Sequence, residues 1–324
     1  MSPERAPLRI GTRGSALALW QTERVGTLLR SAGHDTVTVK IKTTGDLAAD
    51  VPFARIGARA IFTKQIDDAL LEGRIDLAVH SLKDLPTQLP DGIVIAAVGS
   101  REDPRDALVG RSPLRWSDLP PGAVIGTSSL RRRAQLLHAR RDLVVTDLRG
   151  NVDTRLAKLD AHPDWSAIVL ATAGLVRLNL GHRIGERLPP QLLLPAPGQG
   201  ALAVTVRESD TWVATAVRRA VHDPATAVPV AAERAFLRRL EGGCQVPIAA
   251  HAESSGNGLQ LRLHGRVISL DGESMAEGHE IGPAGNEDEA TALGSVLAER
   301  LLAEGAGTIL AETRAAGTPA VSEP

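Results

Sequence analysis

Three short segments of this 324-residue chain share one pattern. An apolar run ends in glycine, serine or threonine beside arginine, and a run of helical periodicity begins. They are Gly11-Thr12-Arg13-Gly14-Ser15 after Leu8-Arg9-Ile10, Thr127-Ser128-Ser129 after Val124-Ile125-Gly126, and Arg149-Gly150-Asn151 after Leu143-Val144-Val145. Repeated strand-to-helix turns commit a chain to alternating β and α elements, which build a mostly parallel sheet covered on both faces. Each such turn also collects unpaired amides and the positive end of a helix dipole, so an anion binds there readily. Placed at the carboxyl ends of successive strands, the three turns predict a cleft between two α/β lobes that holds a ligand with many negative groups.

The rest of the pattern agrees. Helices are predicted over 15–29, 63–72, 130–140, 152–161, 172–178, 208–221, 226–240 and 287–304. Strands are predicted over 8–11, 37–42, 75–79, 124–126, 143–145, 167–170, 201–206, 248–253 and 259–268. The stretch 45–60 has poor periodicity and reads as a loop and candidate lid. The tail from Ala315 to Pro324 is expected to be disordered. The last third reads as a smaller α+β unit.

At the entrance of that unit stands the chain's one cysteine, Cys244, in Leu240-Glu241-Gly242-Gly243-Cys244-Gln245-Val246-Pro247. A single thiol forms no internal disulfide. Flanking glycines and a following proline place it on a turn or loop. Its residues leave two readings open, a buried inert thiol or an exposed reactive one.

Charge narrows the partners. The net charge is -1, which gives no electrostatic case for nucleic acid, and aromatic residues make up 2%, too few for a base-stacking surface. No signal peptide is evident, and no apolar run approaches the roughly 20 residues of a membrane span. A cytoplasmic protein is expected. Residues 101–200 nevertheless hold fourteen arginines and one lysine against ten acids. The guanidinium fork suits carboxylate or phosphate. Arg131, Arg132 and Arg133 fall in the first turn of a helix, where cations oppose the dipole, and an anionic ligand would relieve that conflict. Asp84, in His80-Ser81-Leu82-Lys83-Asp84, is the contrasting element. It reads either as a turn residue before Leu85-Pro86 or as an ionised carboxylate that steadies positive charge or moves a proton. One cysteine and nine scattered histidines show no metal-ligand spacing.

Taken in order, several segments resemble the porphobilinogen deaminase (hydroxymethylbilane synthase) family. They are Ile10-Gly11-Thr12-Arg13 with Leu17-Ala18-Leu19-Trp20-Gln21, His80-Ser81-Leu82-Lys83-Asp84-Leu85-Pro86, Arg101-Glu102-Asp103-Pro104-Arg105-Asp106, Gly126-Thr127-Ser128-Ser129-Leu130-Arg131-Arg132, Leu148-Arg149-Gly150-Asn151-Val152-Asp153-Thr154-Arg155, Pro195-Ala196-Pro197-Gly198-Gln199-Gly200 and Leu240-Glu241-Gly242-Gly243-Cys244. Together they span nearly the whole chain.

The resemblance implies joining of four porphobilinogen molecules, with release of ammonia, into hydroxymethylbilane for tetrapyrrole biosynthesis. It implies a dipyrromethane cofactor held through a thioether to Cys244, and Asp84 as the catalytic carboxylate. Cofactor contacts would come from Lys83, Ser81, Thr127, Ser129, Arg131 and Arg132. Substrate contacts would come from Arg13, Ser15, Arg149, Arg155, Arg177, Gln199 and Gly200, and the lid would carry Arg55, Arg59 and Phe62. The implied fold is α/β, with two periplasmic-binding-protein-like lobes around the cleft and a C-terminal α+β domain. The lobes would be 1–99 with 201–219, and 100–200, followed by 220–324. The implied partners are porphobilinogen and the growing pyrrole chain, with no nucleic acid, membrane or metal, in a monomer. Two other classes fit the residues alone, a non-catalytic anion-binding module and a thiol transferase using Cys244 as a transient nucleophile.

Overall fold

A computed structural model describes residues 6–43, 63–240, 246–255, 260–283 and 285–317. The chain opens with β1 (Leu8–Thr12), α1 (Ala16–Ser31), β2 (Thr36–Lys40), α2 (Lys64–Leu71), β3 (Leu77–Ser81) and β4 (Ile93–Val98). It continues with β5 (Asp106–Val109), β6 (Val124–Gly126), α3 (Leu130–Ala139), β7 (Val144–Thr146), α4 (Val152–Ala161), β8 (Ala167–Ala171), α5 (Thr172–Arg177) and β9 (Glu186–Arg187). Then come β10 (Leu202–Arg207), α6 (Thr211–Val221), α7 (Pro224–Arg239), β11 (Ile248–Ser254), β12 (Gln260–Ile268), β13 (Met275–Pro283), α8 (Glu287–Leu301) and α9 (Gly307–Gly317).

These elements make two compact units. The first draws on the described residues before Asp103 and on Gly200–Ala227, the second on Asp103–Gln199 and the described residues from Val228 onward. The first unit holds a five-stranded sheet ordered β2-β1-β3-β10-β4. β1 runs parallel to β2 and β3, and β10 runs antiparallel to both β3 and β4. The second unit holds a sheet ordered β7-β6-β8-β5-β9. There β6 runs parallel to β7 and β8, and β5 runs antiparallel to β8 and β9. Each sheet therefore has four strands in one direction and one reversed. The reversed strand is the one by which the chain enters the second unit or returns to the first. A third, antiparallel sheet, β11-β12-β13, lies in the second unit.

Burial explains the element types. β3 buries Leu77, Ala78, Val79 and His80, so both faces are covered, as a strand central to an α/β sheet requires. Leu77, Val79, Val204 and Val206 pack with Val25 and Leu29 of α1 and Val213 and Val217 of α6. Each such side chain contributes about 1.5–3 kcal/mol. The scarcity of aromatics leaves these cores largely aliphatic. Among the described residues, Trp165 joins the core beside β8, and Phe236 of α7 is the largest fully buried side chain. Phe236 lies in the core of the third sheet, and a Cβ on Gly265 of β12 would lie 2.5 Å from its Cζ.

The structure corrects several expectations. β4, β5, β9 and β13 were not expected as strands. β13 reads Met-Ala-Glu-Gly-His-Glu-Ile-Gly-Pro and keeps only Ala276 buried, so its apolar signal is weak. The last helical region does not stop near 304. It passes through a π turn with Gly305 at φ +108° and resumes as α9, so Ala315 to Gly317 are helical rather than disordered. The expected loop 45–60 and residues 318–324 lie outside the described residues.

Asp67 of α2 is 4% exposed, and its Oδ1 accepts no hydrogen bond among the described residues. Burial pushes its carboxyl up to about 6. His80 is buried as well. Its Nε2 lies 3.0 Å from Thr205 Oγ1, and burial holds the ring down to about 4, so it is neutral near pH 7.

Candidate active site

In the first unit the expected residues sit on the carboxyl edge of the sheet, beside the point where strand order reverses between β1 and β3. Crevices form at such points in open α/β sheets. Arg13 follows β1 and is half-buried. Ser15 caps α1, its Oγ accepting the Ala18 amide at 3.3 Å. Ser81 ends β3 and accepts a hydrogen bond from Gln21 Nε2 of α1 at 2.8 Å. Lys83 and Asp84 occupy a 3₁₀ turn, Leu82–Asp84, directly after β3. Leu82 is fully buried, and its amide donates to the Ala201 carbonyl at 3.0 Å. The turn is thereby fixed to β10 while the Asp84 side chain remains exposed. Gln21 carried no expected role. Its place beside Trp20 in a family-like segment was the only sequence signal for it.

In the second unit the same edge carries the other group. Thr127 follows β6 and accepts the Ser129 amide at 3.2 Å. Ser129 caps α3 and accepts the Arg132 amide at 3.4 Å. Ser128 accepts the Leu148 amide at 3.0 Å and so ties this turn to the one bearing Arg149. Arg149 and Arg155 are half-buried, and Arg155 Nε donates to the Gly150 carbonyl at 2.7 Å. Gly150 has φ +111°, a left-handed conformation that suits glycine. Arg177, in the last turn of α5, is buried.

The three arginines that open α3 go three ways. Arg131 faces Asp106 Oδ2 at 2.8 Å and donates to the Leu194 carbonyl at 2.7 Å. Arg132 grips Asp106 Oδ1 through Nε at 3.1 Å and through its terminal nitrogen at 2.7 Å, and donates to the Val169 carbonyl. Arg133 reaches the Val145 carbonyl at 3.0 Å. An anionic ligand was expected to relieve the conflict between these cations and the helix dipole, and the structure places a carboxylate of the chain itself, Asp106, beside two of them. Burial lowers the Arg131 pKa, Asp106 opposes that, and the nearby Arg132 cation adds to it. Gln199 is fully buried and donates to Asp106 Oδ1 at 3.0 Å and to the Pro104 carbonyl at 2.6 Å. Gly200 has φ +91°, and a Cβ there would lie 2.3 Å from the Glu102 carbonyl oxygen. Asp106 falls within a family-like segment but had no expected task, because its partners stand 25 and 26 residues further on.

Arg55, Arg59, Phe62 and Cys244 lie outside the described residues. Among the described residues, no group of three or more His, Cys, Asp or Glu side chains is arranged to hold a metal ion. No helix among them is long and apolar enough to cross a membrane.

Residues 8–215 match the family described as "Porphobilinogen deaminase, dipyromethane cofactor binding domain", and residues 227–303 match "Porphobilinogen deaminase, C-terminal domain". The chain belongs to the porphobilinogen deaminase family. The first match runs from β1 past β10, through both five-stranded sheets, and the second covers the three-stranded sheet with α8. Porphobilinogen deaminases of similar sequence come from Pelobacter propionicus, 49% identical over 94% of this chain and 96% of that one, and Syntrophotalea carbinolica, 50% identical over 97% and 98%. The porphobilinogen deaminase of Moorella thermoacetica is 51% identical over 95% and 97%. Among solved structures, an ABC-transporter periplasmic substrate-binding protein from Coxiella burnetii matches at 18% identity with a TM-score of 0.43, over 68% of this chain and 93% of its own.

Proposed function

We propose that this chain joins four porphobilinogen molecules head to tail, releasing ammonia at each joining, and so makes the linear tetrapyrrole hydroxymethylbilane for tetrapyrrole biosynthesis. The observation that carries this reading is the match to the family's cofactor-binding domain over residues 8–215, with full-length relatives near 50% identity.

The residues present suit a dipyrromethane and its elongating chain. Each pyrrole ring bears an acetate and a propionate. Arg131, Arg132, Arg149, Arg155 and Arg177 gather guanidinium groups at one sheet edge, and forks of this kind pair with carboxylates through two hydrogen bonds. Thr127 and Ser129 complete that edge, while Arg13, Ser15, Ser81 and Lys83 serve the corresponding edge of the first sheet. Gln199 and Gly200 serve the return to the first unit, and Arg55, Arg59 and Phe62 serve the lid. The cofactor is held through a thioether to Cys244 and, when bound, supplies a fixed starting end for growth. Asp84 is a rigidly mounted carboxylate. It stabilises the positive charge that develops on a pyrrole as ammonia leaves, and it takes up the proton released when a ring is joined. The chain acts as a cytoplasmic monomer of three domains, 1–99 with 201–219, 100–200, and 220–324.

Intact-mass measurement of the purified full chain tests the reading. An added mass of two linked pyrroles is expected, and Cys244→Ser should abolish it. A bare, fully active wild-type chain would refute the cofactor assignment. Asp84→Asn should keep its fold and cofactor but release ammonia from porphobilinogen roughly 100-fold more slowly or worse. Near-normal release by that variant would remove Asp84 from its role.

A further inference from the structure

We propose that Asp106 is the positioning residue that orients the Arg131 and Arg132 guanidinium groups toward the carboxylates of the pyrrole chain, an inference that rests on the functional reading above. Asp106 opens β5 and is fully buried, and the two arginine side chains are each 6% exposed. Its oxygens are divided between them. Oδ2 faces Arg131 at 2.8 Å, and Oδ1 receives Nε and a terminal nitrogen of Arg132 at 3.1 and 2.7 Å. Gln199 Nε2 adds a third bond to Oδ1 at 3.0 Å.

A guanidinium does not shed its proton in a protein, so two of them held at one buried carboxylate remain cations. Formal charge over the three groups sums to +1, which leaves attraction for one more carboxylate. The planes of the forks are also fixed. Each arginine is held by Asp106 on one side and by a main-chain carbonyl on the other, Leu194 at 2.7 Å for Arg131 and Val169 at 2.9 Å for Arg132. Arg132 thus spends three of its five N–H groups on the protein and keeps two for a ligand. Asp106 is itself held in the ladder opposite Ala171 of β8. Without its charge the two cations repel across a site that holds them close together.

A purely structural ion cluster would weaken the fold and cofactor loading together, whereas a positioning residue affects loading beyond its effect on the fold. The test compares Asp106→Asn with Leu108→Ala, which removes a fully buried side chain from the same strand. Both full chains are purified, melted by calorimetry, and weighed after the unloaded protein is incubated with porphobilinogen. At an equal loss of melting temperature, Asp106→Asn should carry about tenfold less of the two-pyrrole mass than Leu108→Ala. Equal loading of the two variants overturns the proposal. If Asp106→Asn does not fold, Asp106→Glu takes its place, because it keeps the charge and shifts the carboxylate by one methylene. Wild-type loading by that variant would likewise overturn the positioning role. Full loading of an Arg131→Ala, Arg132→Ala double variant would also overturn the proposal, whereas a wild-type chain without the added mass would instead break the functional reading itself.

Discussion

Replacing Asp67 by asparagine should stabilise this protein, and only above mildly acidic pH. Burial raises the carboxyl to about 6 in the folded chain, against 3.8 ordinarily. Between these values the folded state keeps a proton that the unfolded state has lost. Stability therefore falls as pH rises through this window and stays lower above it. The gap of about 2.2 in pKa, at about 1.4 kcal/mol each, makes the penalty about 3 kcal/mol at neutral pH. An asparagine side chain has the same shape and does not titrate. Calorimetric melting of wild type and Asp67→Asn from pH 4 to 8 measures the difference. The two should melt together near pH 4, and the variant should melt higher by about 6–12 °C at pH 8, at about 2–4 °C per kcal/mol for a chain region of this size. A difference that does not vary with pH would show that Asp67 is not the titrating group.

Acid should act on His80 in the opposite sense. Its folded pKa of about 4 lies below the ordinary 6.5, so the unfolded chain takes up the proton first and stability falls as pH drops through that range. The loss amounts to about 3 kcal/mol. His80→Gln should flatten the acid limb of the melting profile, and an unchanged limb would exonerate His80. Gly200→Ala should cost about 1–3 kcal/mol for backbone strain, plus the clash of its Cβ with the Glu102 carbonyl. Gly33→Ala, at φ +86° with nothing within 4 Å of the new Cβ, should show the strain alone. Equal denaturation midpoints for these two variants would mean that the contact at Gly200 relaxes without cost.

The local code was legible where a strand turns directly into a helix. Gly11 to Ser15 and Thr127 to Ser129 announce caps and turn residues within a few positions, and the structure has Ser15 and Ser129 as the caps. What was not legible depends on distant pairing. Four-residue β5 looks like a loop until it is seen between β8 and β9, and β13 is an edge strand that buries only Ala276 and leaves Met275 and Ile281 exposed, so its apolar residues mark no buried face. The Asp106 pairing with Arg131 and Arg132 joins segments with no shared periodicity. A run of arginines at a helix start therefore suggested an external anion, although the compensating carboxylate was in the chain. Residues such as Gln21 and Ser128 escaped for a related reason. Their work is to hold another residue, which becomes visible only in three dimensions.

The insertion of β10 between β3 and β4 has a bearing on how the chain matures as it leaves the ribosome. When residue 102 emerges, the first sheet has its two flanks but lacks the strand that joins them. That strand arrives only after about one hundred further residues, and pairings so distant in sequence form slowly. The intervening stretch contains all five strands of the second sheet and needs nothing later to complete it. Synthesis from the amino terminus therefore does not fix the order of folding. The part made second is able to close first, and the part made first waits, with two strand edges bare, for its missing middle.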